Sequence, residues 1–482
     1  MHSLKKTSIL TLLFTLYLLS LLTFASSQVN ATTLNAAASN LSPSVTIRVD
    51  HFIEIRDGGL VVINDTVKLS TQTGENASLI NSFLIGFPFE FYPEHCFAND
   101  SQRSLEVFPD VGLGRLGFYG AKVIFPQSVN ISNGRSYSFT VVFVFSNLIE
   151  PSTLETGEAG WNVTFPLYPS IIQEASSCLV KVFLPKNATY ESAGKSFSIT
   201  SLGSRQILNL TKTPLTSFTS ESGWVTFREP TFLMLEAREM IREIILDEWG
   251  RIFCSESYSL INNGATEITS LKIRVPQDTY GISAKDKTDG SLSVSLQTGN
   301  ATAPTNATIF FATPIQRNAE STFTVTYWLP WKNYVNQYSW RDHNLAFAFF
   351  ERQNFDWIIR KLTTTIILPE GADFIQLPTL PEDLRSKTHS SLQRNALQEV
   401  LTFNFYNVTP FHDLNFNLSY GYIIFWASFR PTLWVGAIVA IVCAVAFLWQ
   451  LPKRPAVPIT PVPSKDLRSF VDAYEKKTDI IS

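Results

Sequence analysis

An apolar run from Thr432 to Leu451 constrains this chain more than any other feature. Its twenty residues include no Asp, Glu, Lys or Arg, and at about 1.5 Å of rise per residue they span about 30 Å, the hydrocarbon thickness of a bilayer. The spacing predicts a transmembrane helix over 432–451. Trp434 and Trp449 stand near its ends, where aromatic rings favour the headgroup layer, and Lys453 and Arg454 follow directly. That basic stop puts the tail, 452–482, in the cytoplasm. The alternative, a core helix of a soluble domain, is opposed by the basic stop, the Pro-rich continuation and the N-terminal segment.

At the N-terminus, Lys5 and Lys6 precede an apolar stretch, Ser8 to Phe24, and the small residues Ala25 to Ser27. This order predicts a signal peptide over 1–27 and a mature chain beginning near Gln28. A retained segment would span the membrane a second time; the small residues favour cleavage and a single-pass type I topology. Residues 28–44 are Ala, Ser, Thr and Asn with few large side chains, which reads as a flexible leader.

Between leader and anchor the chain reads as β structure. Phe is abundant at 37 of 482 residues, and runs of Phe, Val, Ile, Tyr and Thr separated by turn residues continue from Val45 to about Tyr422. A net charge of -3 gives no nucleic-acid signature. The runs repeat at a period near 190 residues. Ile53-Glu54-Ile55 leads to Gly59, Asp65 and Leu69, and Glu243-Ile244-Ile245 leads to Gly250, Glu256 and Leu260 at the same spacings from the glycine. Phe139 to Phe143 matches Phe323 to Tyr327, and LVKVFLP ending at Pro185 matches TTTIILP ending at Pro369. Val225-Thr226-Phe227 before Phe232 to Glu236 mirrors Leu401-Thr402-Phe403 before Leu414 to Leu418. The expectation is an all-β ectodomain of two tandem β-sandwich-like domains related by internal duplication, 45–238 and 239–422. Convergent alternation of apolar residues is the competing explanation.

The second copy resembles the ribophorin I family. The resemblance rests on MIREIILDEWGRIFCSESYSLINNGATEI (Met240 to Ile268), on VTYWLP (Val325 to Pro330) with the aromatic region to Phe350, and on TIILPEGA (Thr365 to Ala372) before the membrane helix. It covers about Met240 to Leu451. It implies a non-catalytic subunit of the oligosaccharyltransferase, working beside a multi-pass catalytic subunit and other membrane subunits, in the endoplasmic reticulum membrane of a eukaryote or the cell membrane of an archaeon. The family's long cytosolic domain does not follow Leu451 here, which puts a ribosome-facing role in doubt and suits a short-tailed, archaeal-type relative. In the tail, Leu467, Phe470, Val471 and Tyr474 fall at helical spacing.

Thirteen Asn-X-Ser/Thr sequons precede the anchor, at Asn30, Asn40, Asn64, Asn76, Asn99, Asn130, Asn162, Asn187, Asn209, Asn300, Asn306, Asn407 and Asn417. They mark a candidate substrate of glycosylation rather than its catalyst. Cys443 lies in the membrane run, which leaves Cys96, Cys178 and Cys254 outside. A Cys96 to Cys178 bridge and free thiols are both compatible with that odd count. Metal ligand spacings are absent, and so is a nucleophile elbow. Gly112-Leu113-Gly114-Arg115-Leu116-Gly117 satisfies Gly-x-Gly-x-x-Gly, but the strand-like AKVIFP follows, so a glycine turn is expected. Trp340-Arg341-Asp342-His343 reads as a polar loop, and Glu248, Glu351 and Asp356 as solvated carboxylates. No catalytic residue, cofactor or metal site is assigned. Beside the accessory-subunit reading stand a glycosylated, membrane-anchored surface or adhesion protein and, with no feature in its favour, a tethered hydrolase.

Overall fold

The computed structural model describes residues 45–71, 78–131, 135–154, 157–299, 304–351, 353, 356–380, 388–395, 397–450, 469, 471 and 472. The signal and leader regions lie outside them, as does the tail apart from Ser469, Val471 and Asp472, which are helical. The chain divides into two units, one ending at Ile423 and the other beginning at Ile424.

The first unit is almost entirely β. Its strands open with β1 (Val45–Ile55), β2 (Val61–Thr71), β3 (Ser78–Pro88), β4 (His95–Asp100) and β5 (Ser104–Gly112). They continue with β6 (Phe118–Ile131), β7 (Ser136–Phe145), β8 (Ile149–Thr153), β9 (Ala159–Pro166) and β10 (Ser170–Ile171). The first half closes with β11 (Ser177–Phe183), β12 (Thr189–Ala193), β13 (Ser198–Leu202), β14 (Arg205–Lys212) and β15 (Ser222–Arg228). The second half begins with β16 (Leu235–Leu246), β17 (Arg251–Asn262), β18 (Ile268–Arg274), β19 (Tyr280–Asp286) and β20 (Ser291–Gln297). Next come β21 (Asn306–Ile315), β22 (Glu320–Pro330), the single turn α1 (Trp331–Tyr334), β23 (Val335–Gln337) and β24 (Asp342–Ala348). It ends with β25 (Ile358–Ile367), β26 (Asp373–Gln376), β27 (His389–Asn395), β28 (Gln398–Val408) and β29 (Asn415–Gly421).

Two large mixed sheets result, ordered β10-β3-β6-β5-β4-β7-β2-β1-β11-β14-β13 and β18-β21-β20-β19-β22-β17-β16-β25-β28-β27. Leaving out β10, the two orders correspond strand for strand, and the parallel pairings of β1 with β11 and of β16 with β25 fall at the same place. Each half also has a four-stranded sheet, β8-β9-β15-β12 and β23-β24-β29-β26.

Period-two alternation drives this. In β1, Ile47, Val49, Ile53 and Ile55 are buried between more exposed neighbours, as the pleat of a strand with one face in a core requires. In the first half, side chains of both sheets enter one core: Phe83, Phe139 and Phe143 from the large sheet, and Trp161, Val163, Phe165 and Phe227 from the small one. Edge-to-face contacts such as Phe87 on Phe143, with ring centres 4.9 Å apart, order that core. The expected boundary after Arg238 falls inside β16, where the register slips between Ala237 and Glu239.

The second unit contains a 3-10 turn (Ile424–Ser428) and α2 (Phe429–Gln450). At 22 residues, α2 measures about 33 Å. Leu433, Val435, Ile438, Val442, Val445 and Leu448 are each more than half exposed, so the helix is apolar on every side. That is how a helix surrounded by lipid reads. Its stretch Pro431–Trp449 is long and apolar enough to cross a membrane.

Candidate functional site

A pair of ionisable side chains is buried at the same place in both large sheets. His51 on β1 faces Asp65 on β2, and Arg242 on β16 faces Glu256 on β17; all four side chains are fully buried. Each member of the first pair lies 191 positions before its counterpart, the spacing that separates Gly59 from Gly250. His51 Nδ1 is 2.5 Å from Asp65 Oδ1, and Nε2 is 3.0 Å from the Pro166 carbonyl of β9. That bond ties the large sheet to the small one. In the second half, Arg242 Nη1 donates to the Ala348 carbonyl at the end of β24 at 3.1 Å, again joining large sheet to small. Tyr258 and Tyr327 donate their hydroxyls to Glu256 at 2.6 Å. Burial opposes the Arg242 charge, but the facing Tyr327 and Glu256 oxygens outweigh it and raise the pKa. Both arrangements hold the buried groups with hydrogen bonds, although Asp65 Oδ2 and Arg242 Nε are left without one.

The halves meet along a polar seam. Arg56 donates from Nη1 to Asp356 at 2.8 Å and from Nη2 to Glu54 at 2.8 Å, while Arg205 Nη1 donates to the other Glu54 oxygen at 2.8 Å. Burial alone would raise the Glu54 pKa; the Arg205 and Arg56 guanidiniums prevail and lower it. Arg360 on β25 bridges Glu94 and Asn147 of the first half and Glu236 of the second. Beneath these charges Leu60, Val144 and Ile358 form a small apolar core with Phe411 against it. The imidazoles of His95 and His412 stack with centres 3.9 Å apart. The turn between β1 and β2 is held from both sides, because Gly58 N–H donates to the Leu233 carbonyl and Asp356 N–H to the Asp57 carbonyl. Gly58 has φ +108°, and a Cβ there would collide with the Asp356 backbone.

A groove of about 710 Å³ lies over the β24–β29 face of the second small sheet. Ala346 and Ala348 leave room for it, and Asn344, Asn415, Asn417, Ser419 and Gln376 line it. Its wall is mixed, with Phe347 and Phe416 beside these amides and Glu351 and Asp413 as its charged members.

The sequons are distributed unevenly. Asn99, Asn130, Asn187 and Asn417 are exposed; Asn64, Asn162, Asn209 and Asn407 are half-buried; Asn306 is buried, at 7% exposure. Asn30, Asn40, Asn76 and Asn300 lie outside the described residues. The Cys96 to Cys178 bridge does not form: β4 and β11 are four strands apart in one sheet, about 19 Å at the usual strand spacing, far beyond disulfide reach. Burial pushes the Cys178 thiol up, and that of Cys254 up to about 12, which leaves both unreactive.

The glycine cluster joins β5 to β6 as a turn with Gly114 and Gly117 at positive φ, so a strand follows it, as expected. Of Trp340 to His343, expected as a polar loop, Asp342 and His343 instead open β24; Arg341 pairs with Asp373 and His343 stacks on Tyr420, so the acid and base do not converge. Glu351 and Asp356 are not solvated as the sequence suggested: they face Arg242 at 3.8 Å and Arg56 at 2.8 Å. Among the described residues no three His, Cys, Asp or Glu side chains are grouped to hold a metal ion. The buried pairs escaped the sequence reading although a signal exists, since His51 and Arg242 each occupy an inward phase of an otherwise apolar strand.

A mostly β unit with two large mixed sheets, followed by one lipid-compatible helix, defines a membrane-anchored β protein. The model of the family described as Ribophorin I matches residues 267–450, so over that segment the chain is similar to this family. The match takes in VTYWLP, TIILPEGA and the apolar helix, while Met240 to Thr266 precede it. Among solved structures, the M1 zinc metallopeptidase from Deinococcus radiodurans is 7% identical with a TM-score of 0.24, covering 39% of this chain and 42% of that one. Native yeast LTA4 hydrolase is 8% identical with a TM-score of 0.26, covering 39% of this chain and 29% of that one. The chain thus spans less than half the length of either structure, and likeness at that level carries no argument about fold or activity.

Proposed function

We propose that this protein is an accessory, non-catalytic scaffold subunit of an oligosaccharyltransferase complex, supporting protein N-glycosylation beside a multi-pass catalytic subunit. The observation that carries this reading is the Ribophorin I match over 267–450, which runs from the second half through the apolar helix in one piece. In this reading the chain is a single-pass type I protein with a cleaved signal, and its tandem domains, 45–238 and 239–422, are duplicated β-sandwich-like units. Matching strand order, the shared parallel pairing and the repeated buried pair of ionisable residues support duplication. Entry of both sheets' side chains into one core supports the sandwich. The exposed Asn99, Asn130, Asn187 and Asn417 are the acceptors best placed to carry glycans.

The test is a gentle-detergent pull-down of the tagged native protein, with mass spectrometry of what stays bound. A multi-pass oligosaccharyltransferase catalytic subunit in stable ratio is the expected result. Recovery of the protein alone, or only with envelope proteins, would overturn the scaffold role and favour a surface or adhesion protein.

A further inference from the structure

Three large aromatic side chains are left bare at one end of the second half. Trp249 is 68% exposed in the turn from β16 to β17, and Tyr338 and Trp340 are 74% and 71% exposed in the turn from β23 to β24. Large aromatic rings grouped in water are unfavourable, so their joint exposure needs a reason. One residue holds both turns together. Tyr422 donates its N–H to the Arg341 carbonyl at 2.8 Å and its hydroxyl to the Glu248 carbonyl at 3.4 Å.

Tyr422 is also where the chain leaves this end. The apolar span begins at Pro431, nine positions later, and nine residues reach no farther than about 30 Å even when extended. Chain length alone therefore keeps Tyr422 within that reach of the start of the span. The corresponding turn of the first half has different chemistry: Arg56 to Gly59 carries no aromatic residue and is covered by the second half at the seam. Beside the aromatic turns Arg251 pairs with Asp247 and Arg341 with Asp373, and Glu248 and Asp342 add carboxylates, so no excess of cations is offered to an anionic surface.

We propose that Trp249, Tyr338 and Trp340 form a lipid-contact site that seats this end of the β unit in the headgroup layer. Trp and Tyr suit that layer because each combines an apolar ring with a polar N–H or O–H. With no cationic excess, the site is driven by the aromatic rings and works on zwitterionic lipid. Seating would hold the groove and the seam at a set height above the membrane, whichever partner they serve.

The experiment uses the full chain in lipid discs of phosphatidylcholine brominated near the headgroup end of its acyl chains, and reads quenching of Trp fluorescence. Five of the ten tryptophans are then within reach, namely Trp249, Trp340, Trp426, Trp434 and Trp449. The W249F/W340F variant should lose about two fifths of the quenched signal, with near-ultraviolet circular dichroism unchanged. Adding Tyr338→Trp to it should restore part of the loss. W224F, which removes a half-exposed Trp from the first half, should change nothing. Unchanged quenching in W249F/W340F, or quenching of Trp249 and Trp340 that appears only with anionic lipid, would overturn the proposal.

Discussion

Arg242 and His51 place ionised or ionisable groups where aliphatic side chains would suffice, and each ties a large sheet to its small one through a backbone carbonyl. Removing one partner of such a pair strands a buried charge. Arg242→Met should therefore cost about 3–5 kcal/mol, whereas R242M/E256L, with no ion left to solvate, should recover much of that loss; denaturant unfolding of the full chain in detergent measures both. At the seam, Glu54 titrates below its ordinary 4.5 when folded. The unfolded chain then binds that proton more readily than the native state. Its contribution to stability is present above about 4.5 and is lost as pH falls through the folded value. E54Q should accordingly flatten the acid limb of the melting temperature against pH, and an unchanged limb would remove Glu54 from the account.

Among the elements, the turn from β1 to β2 does more than reverse the chain. In the first half it is clamped between the connector into β16 and the Asp356 segment, and Gly58 permits this because only glycine accepts φ +108° without a Cβ to strike a backbone. Gly58→Ala should cost about 1–3 kcal/mol, and it should loosen the seam before the sheets. Limited proteolysis would then cut the connector near 229–234 sooner than in the native protein. The helix α2 follows a simpler rule. Its apolar character on all sides suits a helix surrounded by lipid. Ile438→Arg near its middle should raise the cost of insertion by about 2.5–3.5 kcal/mol, read as protein released by alkaline carbonate.

Across the whole molecule, two halves with one strand order are joined by charges rather than by a broad apolar face. Arg360 contacts Glu94, Asn147 and Glu236, and Arg56 contacts Asp356. An arrangement of this kind keeps two sheets in register while leaving their outer faces available to other proteins. If the family segment is what meets a partner, exchanging α2 for an unrelated apolar helix should weaken complex formation while the β unit stays folded. Complex recovery after the exchange, compared with the native chain by the same pull-down, checks this; equal recovery would move the contact to the β unit alone.

Legibility followed the range of the interactions. The helix and the β class were readable because each depends on patterning within a few residues: no charge in the 432–451 run, and alternation along β1 and β16. The resemblance to ribophorin I was readable for the same reason, since VTYWLP and TIILPEGA are contiguous strings. What the sequence left open is everything decided between distant segments. Cys96 and Cys178 looked eligible to pair until four strand spacings came between them. Glu351 and Asp356 read as solvated until Arg242 and Arg56, the latter 300 positions away, faced them. Trp249 and Trp340 stand 91 positions apart and became one surface only when Tyr422 bound both turns. Local patterning sets which face of a strand is apolar, whereas the order in which strands join sets which charges and rings meet, and that order depends on the whole chain.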